Sequence, residues 1–155
     1  MKRLGKRGFT LVEIMIVVAI IALLVAIAIP NLLRARHNAN EAASVAACRT
    51  ISTACESFRA AQTPPTYPAN LNALTLAGGS NPPYIDASLA GATAIGTARQ
   101  GYYYLYTLVN ANQYTLDARP AVPNTTGTRG FWVDETGVLR AAAVAPATVA
   151  SPAVE

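Results

Sequence analysis

An unbroken apolar run near the amino terminus constrains the fold of this chain more than any other feature. Sixteen residues from Ile14 to Ile29 carry no charge, and three of the five residues before them are also apolar. A helix needs about 20 mostly apolar residues to cross the hydrocarbon core of a bilayer. The sequence therefore predicts a membrane-spanning helix over residues 9–30.

The charges before this run predict its orientation. Four basic residues lie within the leader, residues 1–8: Lys2, Arg3, Lys6 and Arg7. Basic flanks stay on the cytoplasmic side, so a single pass with the amino terminus inside is expected. This leader accounts for the formal charge of +4, because eight Lys and Arg balance eight Asp and Glu in the remainder. A remainder of zero net charge gives no support for nucleic-acid binding.

One carboxylate, Glu13, stands at the start of the apolar run, four residues after Phe9. A charged side chain within hydrocarbon costs about 2.5–3.5 kcal/mol on insertion scales, so Glu13 needs a partner or a position near the interface. A simpler reading places Glu13 in the first helical turn, where the helix dipole stabilises its charge by about 0.3–1 kcal/mol. The two effects are compatible.

The segment Gly8–Glu13 (GFTLVE), with Pro30 downstream, resembles the start of a type IV pilin or a type II secretion pseudopilin. The resemblance implies that a prepilin peptidase cuts after Gly8 and that the new amino-terminal Phe9 is N-methylated. It also implies a structural filament subunit and not an enzyme. The implied partners are other copies, the peptidase, an assembly ATPase and a platform protein. Before assembly the subunit would lie in the bacterial inner membrane, and afterwards in a periplasmic or extracellular filament.

Within this resemblance, Glu13 is the hypothesised registry residue. Its carboxylate, desolvated among apolar helices, would pair with the Phe9 ammonium of a neighbouring copy, and an unpaired buried charge would penalise every other stagger. A Phe9–Glu13 pair within one chain fits the spacing as well. Pro30 is expected to kink or locally melt the helix, because proline removes a backbone hydrogen bond and clashes with the preceding turn.

Two other functions also fit the amino-terminal pattern. A secretory signal has a basic leader and an apolar core, and cleavage after Ala28 would release a soluble domain. Its apolar core would be long for a signal and would contain Glu13. An uncleaved anchor would instead tether an extracytoplasmic binding module with a tyrosine-rich sheet.

Beyond Pro30 the helical pattern becomes amphipathic over residues 31–62, which predicts that this half packs on a globular head. The helix is expected to end near Gln62, because Pro64 and Pro65 cannot continue it. Apolar side chains recur at positions i, i+3, i+7 and i+10 of one face: Cys48, Ile51, Cys55 and Phe58.

The two cysteines, Cys48 and Cys55, are expected to be buried on this stripe rather than bonded to each other. Seven residues of helix separate them by about 10.5 Å along the axis. A disulfide needs Cα atoms within about 7 Å. A disulfide between neighbouring subunits is the alternative.

Residues 63–140 are predicted to form a loop-rich region followed by an antiparallel sheet. A short helix is expected around residues 71–76, and the tail 141–155 is expected to be flexible. Four strands against one long helix make an α+β fold with a pilin-like layout. The expected strands form two hairpins: 102–109 with 114–117, and 131–133 with 138–140.

No residue pattern indicates catalysis, and no cofactor is expected. Asp117, Asp134 and Glu135 are weak candidates for calcium ligands. The chain lacks the Trp-Gly-x-Pro-Tyr stretch and the Asp-Gly loop of the major secretion pseudopilins, which weakens both that assignment and the secretion branch. The single histidine, His37, is expected to be solvated or to face the lipid headgroups. The tyrosines of residues 102–106 are expected to pack within the sheet.

Overall fold

The computed structural model describes residues 9–143 and 146–154. The chain forms two compact units, Met1–Ala35 and Arg36–Glu155. One helix, α1 (Leu11–Ala61), contributes to both. The predicted leader, residues 1–8 with Gly8, lies outside the described residues.

The first unit is the apolar half of α1. Every residue from 9 to 35 is exposed, including all the large aliphatic side chains. This stretch is long and apolar enough to cross a membrane. Because water is a poor solvent for such a surface, it requires lipid or other proteins around it. Pro30 lies inside α1, with helix on both sides of it, and the predicted kink stays a prediction.

The second unit, called the head below, consists of the rest of α1 and a four-stranded antiparallel sheet. The α+β fold predicted from the sequence is confirmed. The strands follow one another in the order of the sequence: β1 (Tyr102–Asn110), β2 (Gln113–Pro120), β3 (Arg129–Asp134) and β4 (Arg140–Ala143). Their register places Tyr104 opposite Ala118, and Phe131 opposite Ala141.

Three short helical turns occupy the loop-rich region between α1 and β1. They are a 3-10 turn at Leu71–Leu74, α2 (Ala87–Ala90) and a 3-10 turn at Ile95–Thr97. The first lies where the sequence predicts a short helix, and α1 ends one residue before the predicted Gln62. Asp86 caps α2 because its Oδ1 atom accepts hydrogen bonds from the amides of Ser88 and Leu89, at 2.7 and 3.1 Å.

The core of the head lies between α1 and the sheet, and tyrosines fill much of it. Tyr102, Tyr104 and Tyr114 are almost completely buried, as expected for sheet packing. The Tyr114 hydroxyl donates to Ser52 Oγ on α1 at 2.9 Å, so its polar atom has a partner inside the core. The Tyr67 ring packs edge-on against Tyr114, with centroids 4.8 Å apart.

The last strand begins later than the sequence predicts. A second strand over residues 138–140 was expected, but β4 starts at Arg140. Gly137 has φ +72°, and its amide donates to the carbonyl of Asp134 at 3.0 Å, which closes a turn. Leu139 then turns into the core, where it is 5% exposed, so the connection is longer than a tight hairpin.

The carboxyl-terminal residues also differ from the predicted flexible tail. Residues 141–143 belong to β4, and the described residues 152–154 lie beside that strand. The Ala141 amide donates to the Pro152 carbonyl at 3.0 Å, and the Val154 amide donates to the Leu139 carbonyl at 2.7 Å. These bonds cover part of the outer edge of β4, which would otherwise present unpaired backbone groups.

Candidate functional site

The start of α1 contains a reciprocal cap between Thr10 and Glu13. Glu13 Oε2 accepts hydrogen bonds from the Thr10 amide at 2.7 Å and from the Thr10 hydroxyl at 2.8 Å. In return, the Glu13 amide donates to Thr10 Oγ1 at 3.2 Å. Thr10 precedes the first helical residue and Glu13 is the third residue of the helix, which is the geometry of a capping box.

This cap matters because the first amides of a helix have no partner within the helix. In an apolar environment, each unsatisfied backbone group costs several kcal/mol. Thr10 and Glu13 satisfy two such groups and give the carboxylate two donors of its own. Phe9 stands directly before the cap and is 85% exposed.

The sequence contained the signal for this cap. Ser or Thr followed three residues later by Glu, just before an apolar run, is the pattern of a capping box. The partners predicted for Glu13 from the sequence were the helix dipole and the Phe9 ammonium. The structure adds Thr10 as a third partner, within the same chain.

A second glutamate, Glu41, joins α1 to the connection between β2 and β3. Its side chain is buried, with 5% of the residue exposed. Glu41 Oε1 accepts from the Thr128 amide at 2.9 Å and from the Thr128 hydroxyl at 2.7 Å, and Oε2 pairs with Arg129 Nε at 2.8 Å. Asn40 supports the same connection by donating to the Thr126 carbonyl at 2.8 Å.

The electrostatics of Glu41 favour its charged form. Burial alone raises the pKa of this carboxyl group, but hydrogen bonds from Thr128 and the charge of Arg129 outweigh it, so the pKa of Glu41 is lowered. Glu41 was not among the residues predicted from the sequence. Extending the buried stripe of α1 backwards from Cys48 by four and then three residues reaches Ser44 and Glu41, which would have placed a carboxylate on the core face.

The amino-terminal segment also matches known proteins. A family described as "Prokaryotic N-terminal methylation motif" matches residues 3–29. The amino-terminal segment is therefore similar to the methylation segment of that family. Residues 9–30 are called the pilin-type segment below. The cap formed by Thr10 and Glu13 lies within the matched motif.

Two curated relatives are similar to the same end of the chain. The type IV wide pilus major component PilA4 of Thermus thermophilus is 63% identical over 35 residues, which are 23% of this chain and 27% of that protein. The type IV major pilin protein PilA of Myxococcus xanthus is 46% identical over 52 residues, 34% of this chain and 24% of that protein. The matches thus span about a quarter of each relative. Both names describe structural components and not enzymes. No solved structure matches the chain significantly.

Outside the pilin-type segment, the three calcium candidates are not brought together as a ligand set. Asp117 pairs with Arg119, Asp134 accepts from the amide and hydroxyl of Thr136, and Glu135 accepts from Gln113 Nε2 at 3.1 Å. Within residues 9–143 and 146–154, no group of three or more His, Cys, Asp or Glu side chains could hold a metal ion.

The two cysteines of the head are buried, as the sequence predicts. Cys48 and Cys55 are both free thiols with 0% exposure. Burial raises the pKa of each thiol to about 12, so both stay protonated at neutral pH. Protonated thiols inside the core are poorly placed for a disulfide between copies.

Proposed function

We propose that this chain is a structural subunit of a type IV pilus, or of the related secretion pseudopilus. The observation that carries the proposal is the exposed, apolar pilin-type segment, which begins with a capped Glu13 inside the methylation motif. Both relatives are named as major pilus components, which favours the pilus branch.

In this proposal the subunit is first inserted into the bacterial inner membrane. The leader stays in the cytoplasm, residues 9–30 cross the bilayer, and the head lies outside. A prepilin peptidase cuts after Gly8, and Phe9 is methylated. The alternative functions, an anchored binding module and a domain released after Ala28, lack an observation in their favour.

Assembly then moves the apolar helix from lipid into a bundle of like helices. This transfer exchanges one apolar environment for another, so the hydrophobic effect supplies little net driving force. The proposal therefore includes an assembly ATPase and a platform protein as partners. Contacts between different surfaces of neighbouring copies produce an open helical polymer when the rotation between copies does not close a ring.

In this proposal Glu13 has two partners at once. Its Oε2 atom is bonded to Thr10, while Oε1 accepts no hydrogen bond from the residues that the structure describes. Oε1 is therefore available to the Phe9 ammonium of a neighbouring copy after leader removal. Because an unpaired carboxylate among apolar helices is unfavourable, this pair would select one stagger between copies.

The mass of the mature amino terminus, together with electron microscopy of sheared cell surfaces, tests the proposal. A chain that starts with methylated Phe9 and is found in filaments is the expected result. A chain that starts at Met1 would indicate an uncleaved anchor, and one that starts at Ile29 would indicate a secreted domain. A strain without the peptidase serves as the control, and it should keep the leader and make no filaments.

A further inference from the structure

An open groove of about 460 Å³ lies in the head, between α1 and the connection from β3 to β4. Its floor is apolar, since Val133 and Leu139 are 2% and 5% exposed. Arg49 and Glu56 line it from α1. The groove thus has an apolar floor and two charges of opposite sign along one wall.

Arg49 and Glu56 are both exposed and lie seven residues apart. Seven residues are two turns, so both side chains project from the same face of α1, separated by about 10.5 Å along its axis. This separation is too large for them to pair with each other. Glu56 Oε1 accepts from the Tyr67 hydroxyl at 2.6 Å, which leaves Oε2 without a hydrogen bond among the described residues.

The other charges of the head are largely used internally. Three ion pairs form within the described residues: Glu41–Arg129, Asp86–Arg99 and Asp117–Arg119. Neither Arg49 nor Glu56 has an oppositely charged group within 4.0 Å in that part of the chain. The groove therefore presents one cation and one anion whose charges are uncompensated.

The helix surface between these two charges can be covered at little cost. The Thr53 hydroxyl donates to the Arg49 carbonyl at 2.9 Å, and Ser52 Oγ accepts from the Tyr114 hydroxyl. Because these hydroxyls already have partners inside the head, an incoming surface would not leave them unsatisfied.

We propose that this groove is a contact surface for a second copy of the chain, in which Arg49 of one copy pairs with Glu56 of a parallel neighbour. The inference rests on the proposed filament function, which makes the helices of neighbouring copies parallel. A shift of seven residues, about 10.5 Å, brings Arg49 of one copy level with Glu56 of the other. Each copy supplies one Arg49 and one Glu56, so the copy that pairs through Glu56 still has Arg49 for a third copy, and a filament results when the rotation between copies does not close a ring.

Exchange of the two charges provides the first test. Arg49→Glu and Glu56→Arg are each expected to lower the yield of sheared filaments at least tenfold, since each variant juxtaposes two like charges. The double variant R49E/E56R is expected to restore most of the yield, because it recreates the pair with reversed sign. Arg49→Lys is the matched control, since it alters the same position but keeps the positive charge.

A covalent cross-link provides the second test. In the full-length variant R49C/E56C, the two new thiols are about 10.5 Å apart along one helix, beyond the roughly 7 Å limit for a disulfide within the chain. Native Cys48 and Cys55 are buried and cannot compete. Oxidised filaments of this variant are expected to give a ladder of covalent multimers on a non-reducing gel, whereas each single-cysteine variant gives none.

Different results would refute the Arg49–Glu56 contact and the proposed filament function. If R49E/E56R is as defective as the single variants, the Arg49–Glu56 contact is refuted and the filament function stands. Because an Arg–Glu pair tolerates a larger Cα separation than a disulfide, monomeric R49C/E56C filaments count against the contact only together with that result. If the unaltered chain forms no filaments in a host with the complete assembly machinery, the proposed function fails.

Discussion

Two glutamates on one helix differ in how far their partners lie along the chain. Glu13 is exposed, and its side chain bonds to Thr10, three residues before it. Glu41 is buried, and its side chain bonds to Thr128 and Arg129, 87 and 88 residues after it. The first set of contacts needs only a helix start, whereas the second needs the folded head.

The two carboxylates also differ in whether one of their oxygens has no hydrogen-bond partner within the chain. Both oxygens of Glu41 are used inside the head, so this residue has little capacity for an external partner. Glu13 Oε1 has no partner among the described residues. Glu41 is therefore a residue of internal stability, whereas Glu13 keeps one carboxylate oxygen for the contact between copies that we propose.

The largest expected effect is the loss of filaments in Glu13→Ala. Membrane insertion and leader removal should continue, because the apolar run and Gly8 are unchanged. Neighbouring copies would lose the carboxylate that we propose to select their stagger. The amino-terminal mass and the filament yield are the measurements, and the free energy of unfolding of the head should change by less than about 0.5 kcal/mol. Normal filaments from this variant would refute the registry role of Glu13.

Glu41→Ala should show the opposite pattern, with a less stable head. Removal of the carboxylate leaves the Thr128 amide and hydroxyl without their acceptor and Arg129 without its charge partner, at a cost of about 1–3 kcal/mol. Urea unfolding of the full chain in detergent, followed by the fluorescence of the single tryptophan Trp132, measures this change. Glu13→Ala is the matched control, and equal destabilisation by both variants would contradict the division between local and long-range contacts.

The pH dependence of the stability of the head tests whether Glu41 acts there as a charged, paired carboxylate. Because the pKa of Glu41 is lowered in the folded head, its contribution is complete above the unfolded value of about 4.3 and is lost as the pH falls through the folded value. The stability difference between the unaltered chain and Glu41→Gln should thus be constant near neutral pH and shrink below about pH 4. A difference that stays constant in acid would show that Glu41 does not titrate as a paired carboxylate.

Much of the fold could be predicted because the chain separates its patterns cleanly. The apolar run predicts the exposed half of α1, the prolines after Gln62 predict its end, and the alternation of tyrosines predicts β1. The second hairpin was harder, since the burial of Leu139 depends on packing with residues far away in the sequence. The order of residues 152–154 was missed for the same reason, because alanine and proline carry no strong local signal for pairing beside β4.

Only the amino-terminal part of the candidate site could be predicted from the sequence. Gly8, Phe9 and Glu13 stand out because their spacing is local and matches a known motif. The partners of Glu41 depend on how the β2–β3 connection returns to α1, which local spacing does not encode. The groove with Arg49 and Glu56 likewise exists only after β3 and β4 have packed beside the helix.

The smallest expected effect concerns Thr10, the intrachain partner of Glu13. Thr10→Val keeps the size of the side chain but removes its hydroxyl, and loss of such a cap costs about 1 kcal/mol of helix stability. The backbone amide of residue 10 still bonds to Glu13, so filament yield should fall several-fold without reaching the level of Glu13→Ala. Thr10→Ser keeps the hydroxyl and should behave like the unaltered chain, when the three are compared by filament yield at equal subunit levels.

Two results would change this view of the helix start. A Thr10→Val chain that assembles as well as Thr10→Ser would show that the hydroxyl of the capping box adds nothing in the membrane, so that Glu13 acts through copies alone. A Thr10→Val chain as defective as Glu13→Ala would show that the hydroxyl itself contacts a neighbouring copy. The intermediate result is expected, because a local cap orients the carboxylate while its free oxygen remains available for the Phe9 ammonium of another subunit.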